Sequence, residues 1–322
     1  MDVSIHKDNI VIRYAFRLTL SLLFFASLPL LAWAENKILL ITPAQKPLYN
    51  EYANHLKNHL TKSSNSGINL EVAPLETIDK KTDLDRYNLI ITAGQGAAEH
   101  ILPLNPKTHL LLTFISSQEY FSHLSEHYRC TATSCSFLFM DQPPARQFRL
   151  LRSLFPQRKT IGMFRDNQND NLNEEYQRIA SEHGLKLIQI PITDDEHIVE
   201  ALQEKIAAIE VLLARPDPLV YNKNTAKGIL LTTYYNKVPL LGYSRSFVKS
   251  GATAGLYSSI DDLARHAAEV ANTRINTQDK SPQFAYPKYF QVEINKKVSD
   301  SMTLNLPTVE QTMEVLRNDN ID

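Results

Sequence analysis

The stretch Leu89-Ile90-Ile91-Thr92-Ala93-Gly94-Gln95-Gly96 decides the fold class. Its first four residues form a short apolar, β-rich run, and two glycines then open a helical pattern over residues 97–102. A buried strand that passes straight into a helix belongs to a βαβ unit, the building block of parallel sheets covered on both faces. The same alternation extends in both directions. Upstream, residues 37–41 read as a first strand ended by Thr42-Pro43, and residues 48–60 as a helix with Leu48, Tyr52, Leu56 and Leu60 on one face. Residues 68–72 give a second strand, and residues 109–114 and 136–140 give two more downstream.

The pattern then starts again. Residues 146–155 read as a helix, 160–164 as a strand, and 172–183 as a helix closed by Gly184, the residue that suits a left-handed C-terminal cap. Strands are expected at 185–190, 211–214, 238–241 and 252–256, with helices at 198–209, 225–236 and 260–273 between them. Two such runs predict an α/β fold of two doubly wound parallel-sheet lobes. The crossing falls near Asp141 to Ala145, where Gln142-Pro143-Pro144 breaks regular structure. The tail adds a strand over 289–294 and a terminal helix over 308–317.

An unbroken low-polarity run over residues 18–31 follows Lys7, Arg13 and Arg17 and leads into Ala32-Trp33-Ala34, a small-x-small cleavage pattern. It is shorter than the roughly 20 apolar residues that span a bilayer, so residues 1–34 read as a removable signal peptide rather than a retained anchor. No Cys follows the run, which closes the lipoprotein route. The expected destination is a bacterial periplasm. The 322-residue chain has a formal net charge of −1, and a balance of that kind gives neither nucleic acid nor an anionic membrane a basic surface to bind.

In doubly wound sheets ligands sit beyond the carboxyl ends of the strands. That rule selects residues 42–45, 94–96 and 115–118 from the first lobe and 165–167, 215–217 and 242–245 from the second, Gln118 and Arg215 among them; the candidate contacts are Thr42, Gln45, Gly94, Gln95, Gly96, Ser116, Ser117, Arg165, Asp166, Asp217, Tyr243 and Ser244. The glycine pair could present bare N–H groups to a carboxylate, or serve only a tight turn. Asp217 could accept from an ammonium group, or cap the helix beginning near Asn222. Tyr49, Tyr221, Tyr243 and Tyr257 could stack on a ring, or simply pack.

No catalytic constellation accompanies these groups. A dinucleotide fingerprint would need a third glycine near Gly94, and no P-loop, His-Glu-x-x-His or Gly-x-Ser-x-Gly occurs. His55 with His59, and His123 with His127, have one-face helical spacing without a third ligand, and read as solvated helix faces. No catalytic residue, metal or cofactor is expected, and a chain of this kind is expected to bind rather than transform.

The second half carries a family resemblance. Val211-Leu212-Leu213-Ala214-Arg215-Pro216-Asp217, Val238-Pro239-Leu240-Leu241-Gly242-Tyr243-Ser244 and Val248-Lys249-Ser250-Gly251-Ala252 resemble the ABC transporter substrate-binding family that includes tryptophan and tyrosine binders. Tyr286-Pro287-Lys288 and Phe290-Gln291-Val292-Glu293-Ile294-Asn295 extend the match, while Gln95-Gly96 departs from the family's usual turn in the first lobe. The resemblance implies a periplasmic binding protein of type I, with a hinge and an interlobe cleft that closes on a small molecule. It divides the chain into residues 35–142 as the N-terminal lobe, 143–258 as the C-terminal lobe, and 259–322 as a return segment and tail packing on the lobes. The implied function is delivery of an amino-acid-like or aromatic ligand to an ABC permease by a monomeric receptor. The alternative is a ligand sensor partnering a membrane kinase or cyclase.

The two cysteines, Cys130 and Cys135, enclose a short polar segment. In an oxidising compartment a close pair pins a loop as a disulfide; free thiols are the alternative, and a metal site would want two more soft ligands nearby. Intact mass of periplasm-purified, unreduced protein is expected to show no alkylation until a reductant is added. Two thiols that alkylate without reduction would remove the pairing.

Overall fold

The computed structural model describes residues 36–43, 46–63, 67–124, 135–165, 170–192, 196–277 and 281–318. The expected leader, Gln45, Cys130 and Asp166 lie outside the described residues. Cys135 is buried at the head of its strand.

The chain begins with β1 (Asn36–Thr42), α1 (Pro47–Ser63), β2 (Ile68–Pro74), β3 (Leu89–Ala93), α2 (Gln95–Ile101), β4 (Leu110–Ile115) and β5 (Cys135–Phe139). It continues through α3 (Pro144–Leu154), β6 (Thr160–Arg165), α4 (Asp170–Glu182), β7 (Lys186–Pro191), α5 (Ile198–Lys205), β8 (Val211–Leu213), α6 (Ala226–Tyr235), β9 (Leu240–Gly242), α7 (Arg245–Ser250) and β10 (Ala254–Tyr257). The last elements are α8 (Ile260–Asn276), β11 (Gln283–Ala285), β12 (Gln291–Ile294), α9 (Lys296–Ser301) and α10 (Val309–Asn318).

Two six-stranded sheets result, each the centre of an α/β lobe. The first has the order β11-β5-β4-β3-β1-β2, with every pair parallel. The second has the order β12-β10-β9-β8-β6-β7 and is parallel except for β12, which runs antiparallel to β10. The apolar runs explain why both faces are covered. Successive side chains in a strand point to opposite faces, so Ile38 and Leu40 join one core while Leu39 and Ile41 join the other. In the second lobe Ile161, Met163, Val211 and Leu213 share one face, and Phe164, Leu212 and Ala214 share the opposite one.

The helix expected over 260–273 follows the strands of the second lobe but returns to the first. As α8 it packs Leu263, Ala264, Ala267, Ala268 and Ala271 against Tyr52, Leu56 and Leu60 of α1 and the first sheet. Four small side chains allow the close approach. Ser259 and Asp262 form a capping box that fixes where the helix starts. Its exposed seam is tied to α1: Oδ1 of Asp261 accepts from His55 Nδ1 and from His59 Nε2, each at 2.8 Å. These two histidines are therefore engaged between helices rather than simply solvated. His127 and the side chain of His123 lie outside the described residues.

The chain thus crosses between lobes three times: after β5, after β10 and between β11 and β12. Side chains knit the crossings together. Ser258 Oγ accepts from Gln142 Nε2 at 2.9 Å and donates to the Tyr289 carbonyl at 2.6 Å. Arg146 Nη1 donates to Gln142 Oε1 at 2.7 Å and to the Pro287 carbonyl at 2.9 Å. Its guanidinium lies 4.2 Å from the centre of the Phe290 ring.

Candidate functional site

The carboxyl ends of the strands of both sheets supply the polar groups between the lobes. At the end of β4 the pairing with β5 shifts register between Leu112 and Ile115, and Phe114 adopts a left-handed backbone with φ of 56°. A bulge of this kind re-aims the chain that follows it. Ser116 then caps one helical turn: its hydroxyl accepts from Glu119 N at 3.1 Å, and Glu119 Oε2 accepts from Ser116 N at 2.7 Å. Ser117 is held by Asp141 from the next strand, with Ser117 N donating to Oδ1 at 2.8 Å and Ser117 Oγ donating to Oδ2 at 2.6 Å.

The next side chain reaches the other lobe. Gln118 Nε2 donates to Asp217 Oδ2 at 2.7 Å, and both residues are buried. The other oxygen of Asp217 accepts from Leu219 N at 2.9 Å and Val220 N at 3.3 Å. One carboxylate thus caps the chain after β8 through Oδ1 and faces the first lobe through Oδ2. Beside it Tyr221 packs edge-on against Phe164, Tyr243 and Phe247, with ring centres 5.3 to 6.1 Å apart. Burial, followed by the charge of Asp217, pushes the Tyr243 hydroxyl up to about 12. The Tyr221 hydroxyl is buried with no hydrogen-bond partner among the described residues.

A second polar layer lies toward the crossings. Gln147 Nε2 donates to the Gln142 carbonyl at 2.6 Å and to the Tyr176 hydroxyl at 3.1 Å. Arg215, 3% exposed at the end of β8, donates through Nη2 to Asn173 Oδ1 at 3.1 Å. Its guanidinium sits 5.4 Å from the centre of the Tyr176 ring. Between the lobes Asp141, Gln147, Pro216, Gly242, Tyr243 and Tyr257 help line a cavity of about 10 Å³. That is room for about one water, so a larger guest needs the lobes to part.

Several of the residues selected from sequence meet here: Ser117, Asp217 and Tyr243 belong to one buried interlobe region, and Thr42 is buried at the end of β1. Arg165 is half-buried at the end of β6. Others are occupied within their own lobe. Gly94 has φ of 91°, and a Cβ there would lie 3.0 Å from the Tyr49 hydroxyl, so close packing accounts for the glycine. A Cβ on Gly96 would meet Pro43 at 3.9 Å. Gln95 donates to Glu99 Oε1 at 2.7 Å, and Ser244 Oγ caps α7 by accepting from Phe247 N at 3.2 Å. Tyr257 donates to Glu293 Oε2 at 2.6 Å. The strand-end segments read from sequence include Gln118 and Arg215 without a role for either, and the chemistry of Asp141, Asn173 and Tyr176 is not singled out by sequence.

With this geometry the family follows. The family model described as ABC transporter substrate binding protein matches residues 138–310, more than half of the chain. The chain belongs to that family. No curated protein sequence matches it. Among solved structures it is similar to the ligand-free, open form of a substrate binding protein with adhesive properties from Clostridium difficile. That match has 18% identity and a TM-score of 0.66, and covers 85% of this chain and 97% of the other. A conserved domain protein from Vibrio cholerae gives 17% identity and a TM-score of 0.60 over 87% and 97% of the two chains. An ABC domain from Streptococcus pneumonia in complex with L-Trp gives 14% and 0.58 over 86% and 98%. The fold is that of the type I periplasmic binding proteins.

Burial raises the Asp141 carboxyl to about 6 against the opposing pull of the Ser117 bonds. The folded protein therefore binds this proton more tightly than the unfolded chain does. Ionised Asp141 costs stability above that value, and the cost is relieved as pH falls through about 6 toward the unfolded value of 3.8. Asp141→Asn lacks this dependence, so in denaturant melts its stability relative to the wild type should fall between about pH 8 and about pH 5. A difference that stays constant would contradict the assignment.

Proposed function

We propose that the chain is an exported, monomeric periplasmic receptor that delivers a small amino-acid-like or aromatic ligand to an ABC permease and performs no chemistry on it. The observation that carries this reading is the buried Gln118–Asp217 hydrogen bond, which joins the two lobes through a carboxylate. A carboxylate walled by Tyr221, Tyr243 and Phe247 suits a ligand with an ammonium group and an apolar or aromatic body. The neighbour from Streptococcus pneumonia, whose bound molecule is L-Trp, supports the ligand class. None of the described helices is long and apolar enough to cross a membrane, in keeping with a receptor that works apart from its permease.

In this reading the lobes swing about the three crossings, and the ligand's ammonium takes the place of Gln118 Nε2 on Asp217 Oδ2. Ser117, Tyr243 and Thr42 complete the walls, and closure hides the ligand from water. The closed shape is what the permease recognises.

A thermal-shift screen of ligand-stripped protein against amino acids, purines, sugars and oligopeptides should give a hit, because ligand at 100 times its Kd adds about 2.7 kcal/mol. Calorimetry with that hit should show Asp217→Ala weakened by about 1.5 to 3 kcal/mol, with about 1 kcal/mol of stability lost through the missing cap. Equal affinity in the variant and the wild type would remove Asp217 from the site.

A further inference from the structure

Arg215 is out of balance with its surroundings. A guanidinium carries five N–H donors and a permanent charge, and burying it without an anion is costly. Yet Arg215 is 3% exposed, and its Nε and Nη1 are buried with no hydrogen-bond partner. Among the described residues its one hydrogen bond goes to the neutral amide oxygen of Asn173. Asp217, two residues along the chain, spends Oδ1 on Leu219 N and Val220 N and Oδ2 on Gln118.

The surroundings share this excess of donors. The Tyr221 hydroxyl is likewise buried without a partner, and the Arg215 charge is felt both there and at Tyr176. One strand over, the register Ile161↔Val211 and Gly162↔Leu212 brings Arg165 level with Arg215 when it is carried on to the strand ends. Met163 and Leu213 face the same core, so the two arginines continue one face of the sheet. The carboxylates Asp141 and Asp217 act on Tyr176 and Tyr221 respectively, so negative and positive groups flank the same two rings.

Building on the receptor reading above, we propose that the ligand carries an acid group, carboxylate or phosphate, and that this group seats on Nε and Nη1 of Arg215 with the Tyr221 hydroxyl. Nε and a terminal Nη form the paired donor edge that matches two oxygens of a carboxylate or phosphate. With an ammonium group directed to Asp217 and the acid to Arg215, an α-amino acid satisfies both ends. The buried charge is thereby matched when the ligand is bound, and the strain of its mismatch favours the liganded state.

The test uses the full exported chain, stripped of ligand by unfolding and refolding. Thermal shift is read against matched probes: amino acids, their decarboxylated amines and their amides, sugar phosphates, inorganic phosphate and neutral sugars. Hits are expected only among probes with a free acid group, the amino-acid and phosphate arms telling the two acids apart. For the best hit, Arg215→Gln and Arg215→Met should each weaken binding at least tenfold in calorimetry. The ligand-free stability of Arg215→Met should be equal to or above wild type, since removal of an unmatched buried charge relieves the fold. Hits confined to neutral or cationic probes, or variants that bind the acid as tightly as wild type, would overturn the Arg215 assignment and leave the receptor reading standing. A strongly destabilised ligand-free Arg215→Met would also overturn it, by showing a structural role. A panel with no hit of any class removes the receptor reading itself.

Discussion

The hydroxyl of Ser258 ties the three crossings between the lobes to one another. It accepts from Gln142 on the first crossing and donates to the Tyr289 carbonyl on the third, while itself belonging to the second. Arg146 adds a bridge from Gln142 to the Pro287 carbonyl. Three separate segments are therefore tied into one joint. Each lobe has its own sheet with two apolar faces and keeps its packing when the joint bends, since closely packed cores resist deformation and connections yield first.

The joint also explains the polar character of the region between the lobes. Groups that open to water in one state and close on one another in the next need partners in both. Gln118 and Asp217 are partners across the lobes in this structure, and Ser117 with Asp141 holds the edge of the first lobe in place. A buried polar group without a partner costs more than a hydrogen bond returns, and the Tyr221 hydroxyl and Nε and Nη1 of Arg215 are among the buried polar atoms of the described residues in that position. Specificity is written in such places, because a guest lacking the matching group leaves them unsatisfied.

The fold is legible in the sequence because its signal is local: short apolar strands, one-face helices and glycine or proline punctuation recur in order. The limits of that signal lie where position depends on distant segments. Residues 283–285, between Pro282 and Pro287, are too short to read as a strand and become one by pairing with β5. The strand at Tyr289 is delayed to Gln291 and runs antiparallel to β10. Nothing in the spacing of Leu263, Ala264, Ala267, Ala268 and Ala271 says which lobe they cover. At the site, Asp217 is legible because it lies just beyond a strand end and begins a capped turn. Asp141 also ends a strand, but the prolines that follow it draw attention to the crossing instead. The burial and missing partners of Arg215 are tertiary facts, and the Gly94–Gly96 pair suggests an anion cradle by spacing, while only Gly94 is required by its backbone and by the Tyr49 hydroxyl beside it.

The central claim is that a joint of three crossings lets two lobes close on a ligand. Small-angle X-ray scattering of the ligand-stripped protein, alone and saturated with the compound giving the largest thermal shift, tests it most directly. The account predicts a smaller radius of gyration with ligand than without it. Tight binding with no change in the scattering curve would contradict it.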